Sequence, residues 1–148
     1  MNGYLLDTNV ISLLAPGRTR VPDGFASWAE ECDRLGQLYL SCVSIHELEK
    51  GVRLLERRGA TRKARPLANW LRALVMQHAD VILAVDGEVA QISGELEAKA
   101  VSLGFNSGAS DAMIAGTAHH HGLVLVTRNV KHFEPFGIAV TGVEEIAG

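Results

Sequence analysis

The sequence predicts an α/β fold of three layers, in which a central parallel sheet lies between two layers of helices. Short, continuously apolar segments alternate along the chain with longer segments whose apolar residues recur every three or four positions. Continuous apolar strands are typical of parallel sheets buried on both faces, and the helices between them make the crossover connections. The length of 148 residues suits a single domain, which we expect to span residues 1–148.

The first half of the chain contains signals for two strands and four helices. Helix starts are indicated by proline or serine ahead of apolar residues at helical spacing, and helix ends by glycine. Ser44 is the expected N-cap of the third helix, whose stripe includes Ile45, Leu48 and Val52. The expected elements are a strand at 3–6, helices at 8–14 and 22–36, a strand at 38–44, a helix from Ser44 to Arg58, and a helix from about Pro66 to Val75.

The second half repeats the alternation of strand and helix. Asp86 is the expected N-cap of a helix that follows the apolar segment VILAV, and the glycine-containing loop GFNSGAS separates it from the next helix. The expected elements are a strand at 81–85, a helix from Asp86 to about Leu103, a helix at 111–121, a strand at 123–127, and a fifth strand at 138–140.

Composition and charge exclude several classes of protein. No apolar segment approaches the roughly 20 residues that cross a bilayer, and no secretory signal is visible at the N-terminus, so we expect no membrane partner. Cys32 and Cys42 form no CxxC pair, which favours a reduced, cytoplasmic location. The net charge of −3 argues against generic binding of nucleic acid through charge alone.

Positive charge is nevertheless concentrated in one segment, because seven of the 14 Lys and Arg residues lie between Arg53 and Arg72. Arg62, Arg65 and Arg72 share a face if the helix around them is unbroken, and they are candidates for binding RNA phosphates. The alternatives are a solvated helix face and a surface for an acidic partner.

Three acidic residues carry the chemical prediction. Asp7 ends the first strand, Glu47 lies on the shoulder of an apolar helical stripe, and Asp111 aligns with the stripe of its own helix. Each has a purely structural alternative: Asp7 as a helix cap, Glu47 as part of a Ser44-x-x-Glu47 capping box, and Asp111 as support for a helix start after Ser110.

Considered together, the three acids predict a metal site. Each is expected to face the crevice at the carboxyl edge of the sheet, where open α/β folds bind ligands. Carboxylates gathered there repel one another unless a cation is present. Hard oxygen ligands suit Mg²⁺ or Mn²⁺, and such an ion can activate water and stabilise charge on a phosphodiester.

Four stretches of the chain, in order, resemble a known family. The similarity is to the PIN domain, and within it to the VapC-type toxins of bacterial toxin–antitoxin pairs, particularly the FitB-like members. It covers the chain from residue 5 to residue 133. The stretches are LLDTNVI (5–11), VSIHELEKGV (43–52), SDAMIAGTA (110–118) and LVTRNVKHF (125–133).

The resemblance implies a Mg²⁺- or Mn²⁺-dependent endoribonuclease that leaves a 5′-phosphate and a 3′-hydroxyl. It implies that Asp7, Glu47 and Asp111 bind the metal, directly or through water. It also implies a homodimer that is held inactive by a small antitoxin protein encoded beside it.

One position departs from the family pattern, because Asn129 stands where many members carry a fourth acid. An amide can orient a metal-bound water but brings no charge, so we expect one strong metal site. Asn9, Thr8 and Thr127 are expected to support the acids, with turn and capping chemistry as the alternative. Arg128 is expected to bind a substrate phosphate.

Two other functions remain open at the level of sequence. The missing fourth acid allows a PIN-like module that binds RNA or protein without cutting. A phosphohydrolase of the haloacid-dehalogenase type also begins with an aspartate after its first strand, but it requires a second acid two residues later, where this chain has Asn9.

Overall fold

The computed structural model describes residues 2–147 and has a five-stranded sheet at its centre, with the strand order β3-β2-β1-β4-β5. Every pair of neighbouring strands is parallel. The strands are β1 (Tyr4–Leu6), β2 (Leu38–Ser41), β3 (Ile82–Leu83), β4 (Val124–Thr127) and β5 (Val140–Gly142).

Helices connect the strands and cover both faces of the sheet, which confirms the predicted three-layer α/β architecture. Short 3₁₀ turns extend three of the connections, at Ser12–Leu14, Ala79–Val81 and Glu134–Phe136. The helices are α1 (Thr8–Ile11), α2 (Phe25–Arg34), α3 (Cys42–Arg57), α4 (Thr61–Gln77), α5 (Gly87–Ser102), α6 (Ala109–His120), α7 (Val130–Phe133) and α8 (Val143–Ala147).

Each face of the sheet has its own apolar cluster, because side chains alternate along a strand. Leu6 and Val126 belong to the cluster beneath α2, α3 and α4, whereas Leu5 and Leu125 belong to the cluster that contains buried residues of α6. All four of these strand residues have no exposed surface. This two-sided burial explains why the strands are continuously apolar in sequence.

The order of the strands reverses at β1, which lies between β2 and β4. The chain leads from β1 to β2 on one side of β1, and β4 lies on its other side. A crevice therefore opens beyond the carboxyl ends of β1 and β4. Leu6 pairs with Val126 in the parallel register, and Asp7 and Thr127 therefore lie next to each other at the start of this crevice.

The predicted starts of α3 and α6 are wrong, for local reasons. Strand β2 ends at Ser41, and its Oγ accepts the Val43 N–H at 3.1 Å, so Ser41 and not Ser44 is the N-cap of α3. Helix α6 begins at Ala109 rather than at 111. Gly108 precedes it with a φ of 93°, a conformation that favours glycine, and Ser110 consequently lies inside the helix.

Pro66 does not delay the start of α4, as the sequence suggested, because the helix begins at Thr61 and contains the proline. The proline ring removes the N–H that would bond the carbonyl of Arg62. Arg62 is exposed, so water can satisfy that carbonyl, and the helix continues.

One edge strand is shorter than predicted, the other is displaced along the chain, and helix α2 starts later than predicted. Strand β3 covers only Ile82–Leu83 of the expected 81–85, and β5 is displaced to Val140–Gly142 from the expected 138–140. Helix α2 begins at Phe25, three residues after Pro22. No helix within residues 2–147 is both long and apolar enough to cross a membrane.

Helices α5 and α6 are in close contact at Gly116, and this contact yields a stability prediction. A Cβ on Gly116 would overlap the Ser93 Oγ and lie 3.1 Å from the Ser93 Cα and N. Ser93 is buried and donates to the Val89 carbonyl at 2.7 Å, so it cannot easily move. Gly116→Ala should lower the free energy of unfolding by about 1–3 kcal/mol in urea denaturation.

The matched control is Gly94→Ala on the exposed side of α5, where an added Cβ meets nothing within 4 Å. We expect that variant to raise the free energy of unfolding by up to about 1 kcal/mol, because alanine favours the helix. Equal effects of the two substitutions would show that the α5–α6 contact is not tightly packed.

Candidate active site

Asp7 is a buried carboxylate at the carboxyl end of β1, with 7% of its surface exposed. Its Oδ1 accepts the Thr8 N–H at 2.8 Å, and its Oδ2 accepts the Thr127 hydroxyl at 3.0 Å. The same Thr127 hydroxyl oxygen accepts the Asn129 N–H at 3.1 Å. The parallel register of β1 and β4 thus holds the carboxylate in place through a residue 120 positions away in sequence.

Glu47 lies in the second turn of α3, on the side that faces α1. Its Oε1 accepts the Thr8 hydroxyl at 2.6 Å, and the buried Ser44 hydroxyl lies 2.8 Å from the same Thr8 oxygen. Because Ser44 is inside the helix and bonds Thr8, the capping-box alternative for Glu47 is wrong. Thr8, which directly follows Asp7, instead links the Asp7 segment to Glu47.

Asp111 lies in the first turn of α6, where its side chain is 25% exposed. Its Oδ2 is 2.5 Å from the His132 Nε2, and the His132 side chain is 38% exposed. The histidine belongs to α7, directly after β4, so this contact joins two separate elements at the carboxyl edge of the sheet. Asp111 is therefore directed into the crevice and not along its own helix.

The three acids line one cavity of about 220 Å³ at this edge, the acid cavity. Within residues 2–147, none of them pairs with a Lys or Arg side chain, and the only contact with a basic side chain is the one between Asp111 and His132. The remaining lining residues are also polar, apart from one phenylalanine. The complete lining is Asp7, Thr8, Asn9, Glu47, Asp111, Asn129, His132 and Phe133.

Electrostatics at the cavity favour the addition of positive charge. Burial raises the pKa of Asp7 above its ordinary value, the hydrogen bonds from Thr127 and Thr8 oppose that rise, and the charges of Asp111 and Glu47 add to it. The ionised carboxylate is thus costly where it stands. A cation in the cavity would offset both the burial and the repulsion between the acids.

The side chains that could hold a metal ion are currently bonded to protein groups. Among residues 2–147, no three His, Cys, Asp or Glu side chains converge closely enough to surround an ion. Glu47 is turned to Thr8, and Asp111 is turned to His132. Rotation of these two side chains would be needed for them to join Asp7 around one ion.

The structure places most of the predicted supporting residues at the cavity. Thr8 and Thr127 bond directly to the acids, and Asn9 and Asn129 contribute to the lining. Arg128 lies next to Asn129 in sequence but lines a different, neighbouring cavity that extends toward Gly142 and Glu145. The functional assignments of these residues stay predictions.

Arg62 and Arg65 lie elsewhere, because both line a surface cavity with Thr61 and Pro66 that includes none of the three acids. They are exposed on α4. A role for them in substrate binding would therefore concern RNA at a distance from the acids.

Sequence reasoning missed two residues of this site, His132 and Ser44. His132 stands in the stretch LVTRNVKHF, but its register on α7 depends on where β4 ends, and a four-residue helix gives no periodic signal. Ser44 was assigned to a cap because strand β2 was predicted three residues too long.

Comparison with known proteins adds a family match and several relatives. The PIN domain matches residues 4–135. Toxin FitB of Neisseria gonorrhoeae is 34% identical over 137 residues, which cover 92% of this chain and 94% of the relative. VapC ribonuclease Y4jK of Sinorhizobium fredii is 30% identical over 138 residues, with the same coverage of 92% and 94%.

Solved structures give the same result for the fold. The crystal structure of FitAcB from Neisseria gonorrhoeae superposes with a TM-score of 0.80 and 33% sequence identity, over 95% of this chain and 97% of that chain. The DNA-bound VapBC structure from Salmonella typhimurium superposes with a TM-score of 0.71 and 25% identity, over 97% of this chain and 99% of that chain.

The raised pKa of Asp7 predicts a pH dependence of stability in metal-free protein. Because the pKa of Asp7 is higher in the native state than in the unfolded chain, protonation of Asp7 stabilises the native state. This stabilisation is complete below the ordinary pKa of 3.8 and is lost as the pH rises through the native pKa. Asp7→Asn should therefore have a higher free energy of unfolding than wild type at pH 7, and the difference should shrink toward pH 3.8.

Chemical denaturation at a series of pH values measures this difference, with the exposed Asp23→Asn as the control variant. A wild type that is more stable than Asp7→Asn at pH 7 without metal would contradict the expected cost of the buried charge.

Proposed function

The chain belongs to the PIN domain family, and from this premise we propose that it is a metal-dependent endoribonuclease that acts as the toxin of a type II toxin–antitoxin pair. The reaction is hydrolysis of RNA phosphodiester bonds, and a single domain carries it out. The observation that carries this proposal is the cavity in which Asp7, Glu47 and Asp111 meet without any Lys or Arg ion pair in the described part of the chain. The relatives named as a toxin and as a ribonuclease support it.

Asp7, Glu47 and Asp111 are the residues that would hold Mg²⁺ or Mn²⁺. Three carboxylates with neighbouring amide side chains form an oxygen-rich donor set, which suits these hard cations. When bound, such an ion acts as a Lewis acid toward the phosphodiester and lowers the pKa of a bound water. With Asn129 in place of a fourth acid, we propose one strong site.

The residues of the chain itself orient the groups that react. Thr127 and the Thr8 N–H fix both oxygens of Asp7, so this carboxylate is held in position before any ligand arrives. The amides of Asn9 and Asn129 supply donors and acceptors for water in the cavity. Attack of water on the phosphorus, in line with the 3′-oxygen as leaving group, would give a 5′-phosphate and a 3′-hydroxyl.

Charged residues around the cavity would bind the rest of the RNA. Arg128 is exposed beside Asn129 and would bind a phosphate close to the bond that is cut. Arg62 and Arg65, on the exposed face of α4, would add contacts to phosphates further along the strand.

A groove between α1, α3 and α4 is the proposed binding surface for an antitoxin protein. This groove of about 380 Å³ shares Thr8, Asn9 and Glu47 with the acid cavity, so a protein segment lying in it would block substrate. Its floor is largely apolar, whereas Arg18 and Arg58 provide positive charge. The groove is lined by Thr8, Asn9, Ser12, Ala15, Arg18, Glu47, Leu48, Gly51, Val52, Leu55, Arg58, Leu67 and Trp70.

We further propose that the protein acts in the cytoplasm as a homodimer. Both cysteines are free thiols, which suits a reducing compartment. The exposed apolar side chain of Met76 on α4 provides surface for a second copy of the chain.

The competing function is a PIN-like module that binds RNA or protein without cutting it. Asn129 favours this alternative, because it leaves the site with one negative charge fewer. Cleavage that depends on both the metal and Asp7 would exclude it. The haloacid-dehalogenase alternative requires an acid at Asn9 and would be supported only by a phosphorylated Asp7.

Loss of one carboxylate should remove activity while the fold persists. Asp7→Asn should lower the rate of RNA cleavage at least about 100-fold, since even residues that support metal ligands contribute 10- to 100-fold. The assay follows labelled RNA with Mg²⁺ or Mn²⁺, with and without EDTA, and circular dichroism checks the fold. Asp23→Asn, an exposed aspartate outside the cavity, should cleave like wild type.

The same samples can be heated with and without Mn²⁺. We expect the ion to raise the melting temperature of wild type and of Asp23→Asn but not that of Asp7→Asn. Full cleavage by folded Asp7→Asn protein would refute the proposed site.

The antitoxin groove is tested by a pair of neighbouring leucines on α3. Leu55 lines the groove, whereas Leu54 is 48% exposed and is not part of the lining. Leu55→Glu should weaken binding of the protein encoded beside this chain at least tenfold, because it places a charge in an apolar interface. Leu54→Glu is the control, and equal affinity of both variants would exclude the groove.

A further inference from the structure

A second cavity lies directly beside the acid cavity, and of its lining only Arg128 and the residues shared with the site have a part in the proposed reaction. It measures about 330 Å³ and lies between the end of β4, helix α7 and the turn from β5 into α8. Asn129 lines both cavities, so a molecule that fills the second one would extend to the first. Its volume lies at the lower end of the range for small-molecule sites, about 300–1,000 Å³.

One part of this cavity is cationic. Arg128 and Lys131 both line it, and both side chains are exposed. Neither forms an ion pair with any residue in the range 2–147, although Glu144 and Glu145 line the same cavity. Two cations that the protein's own acids leave unpaired form a suitable place for a phosphate group.

The lining of the cavity also includes an exposed carboxylate, Glu145, that accepts one hydrogen bond from the protein. The Thr141 hydroxyl donates to the Glu145 Oε2 at 3.2 Å. The Glu145 Oε1 would be 3.4 Å from a Cβ at Gly142, and the Val130 Cγ2 would be 3.5 Å from it. The absence of a side chain at Gly142 therefore leaves open space between this carboxylate and α7.

We propose that this cavity is a nucleotide subsite that takes a guanosine nucleotide next to the bond that is cut. Arg128 and Lys131 bind its phosphate, and the Glu145 carboxylate accepts two hydrogen bonds from its base. This assignment rests on the proposed ribonuclease function, and it would make Glu145 a determinant of RNA sequence specificity.

Guanine is favoured over the other bases by the pattern of donors on its Watson–Crick edge. An ionised carboxylate only accepts hydrogen bonds, so it requires neighbouring donors. Guanine offers N1–H and the N2 amino group side by side. Adenine and cytosine place a ring acceptor beside their amino group, and uracil places carbonyl groups on both sides of its N3–H, so each would set an oxygen or nitrogen lone pair against the carboxylate.

Nucleotide binding to the full chain without metal tests the subsite independently of cleavage. GMP, IMP and AMP are titrated into wild type, Glu145→Gln and Glu95→Gln, and NMR follows the amides near Lys131 and Gly142. Glu95 is exposed on α5 and is the matched control. We expect GMP to bind wild type and Glu95→Gln about tenfold more tightly than IMP, which lacks the N2 amino group, and Glu145→Gln to lose this difference.

Sequencing the cut ends of a random RNA pool tests the same residue during catalysis. Wild type and Glu95→Gln should cut next to guanine, and Glu145→Gln should lose the guanine enrichment. Equal binding of the three nucleotides by wild type, or a guanine preference that survives in Glu145→Gln, would overturn the subsite. If wild type cuts no RNA with any divalent cation, the proposed function fails, and the nucleotide titration alone decides the subsite.

Discussion

The candidate site depends on the parallel pairing of β1 with β4. That register sets Asp7 beside Thr127 and thereby places a buried carboxylate at the point where the strand order reverses. Burial alone would make the ionised form of Asp7 costly. Two hydrogen bonds reduce this cost, but the nearby charges of Asp111 and Glu47 increase it again, and no lysine or arginine in the described part of the chain is paired with any of the three acids. A divalent cation is the simplest partner for such a group.

The other elements bring the remaining acids to the same place. Helix α3 starts directly after β2 and carries Glu47 toward Thr8, and α6 carries Asp111 toward His132. These contacts currently hold the two side chains away from a shared ion. Asp7 is therefore fixed in place. Glu47 and Asp111 would turn toward a cation by releasing their polar partners, Thr8 and His132.

Much of this architecture could be predicted from the sequence, because two physical signals are strong. The apolar strands and the helical stripes fix the alternation of elements, and the acids at strand ends and helix starts indicate the edge at which they meet. The boundaries were less accessible. Whether α3 begins at Cys42 or three residues later depends on Ser41 bonding the Val43 N–H, and Ser44 offers the same chemistry nearby. His132 was missed because its partner, Asp111, is 21 residues away and lies on another helix.

We propose that one divalent cation occupies the cavity bounded by Asp7, Glu47 and Asp111. The most direct measurement is a crystal structure of the protein soaked in Mn²⁺, with anomalous diffraction used to locate the ion. We expect one strong anomalous peak between the three carboxylates, with Glu47 and Asp111 turned away from Thr8 and His132. A cavity without such a peak at saturating Mn²⁺, with Asp7, Glu47 and Asp111 still bonded only to protein groups, would contradict it.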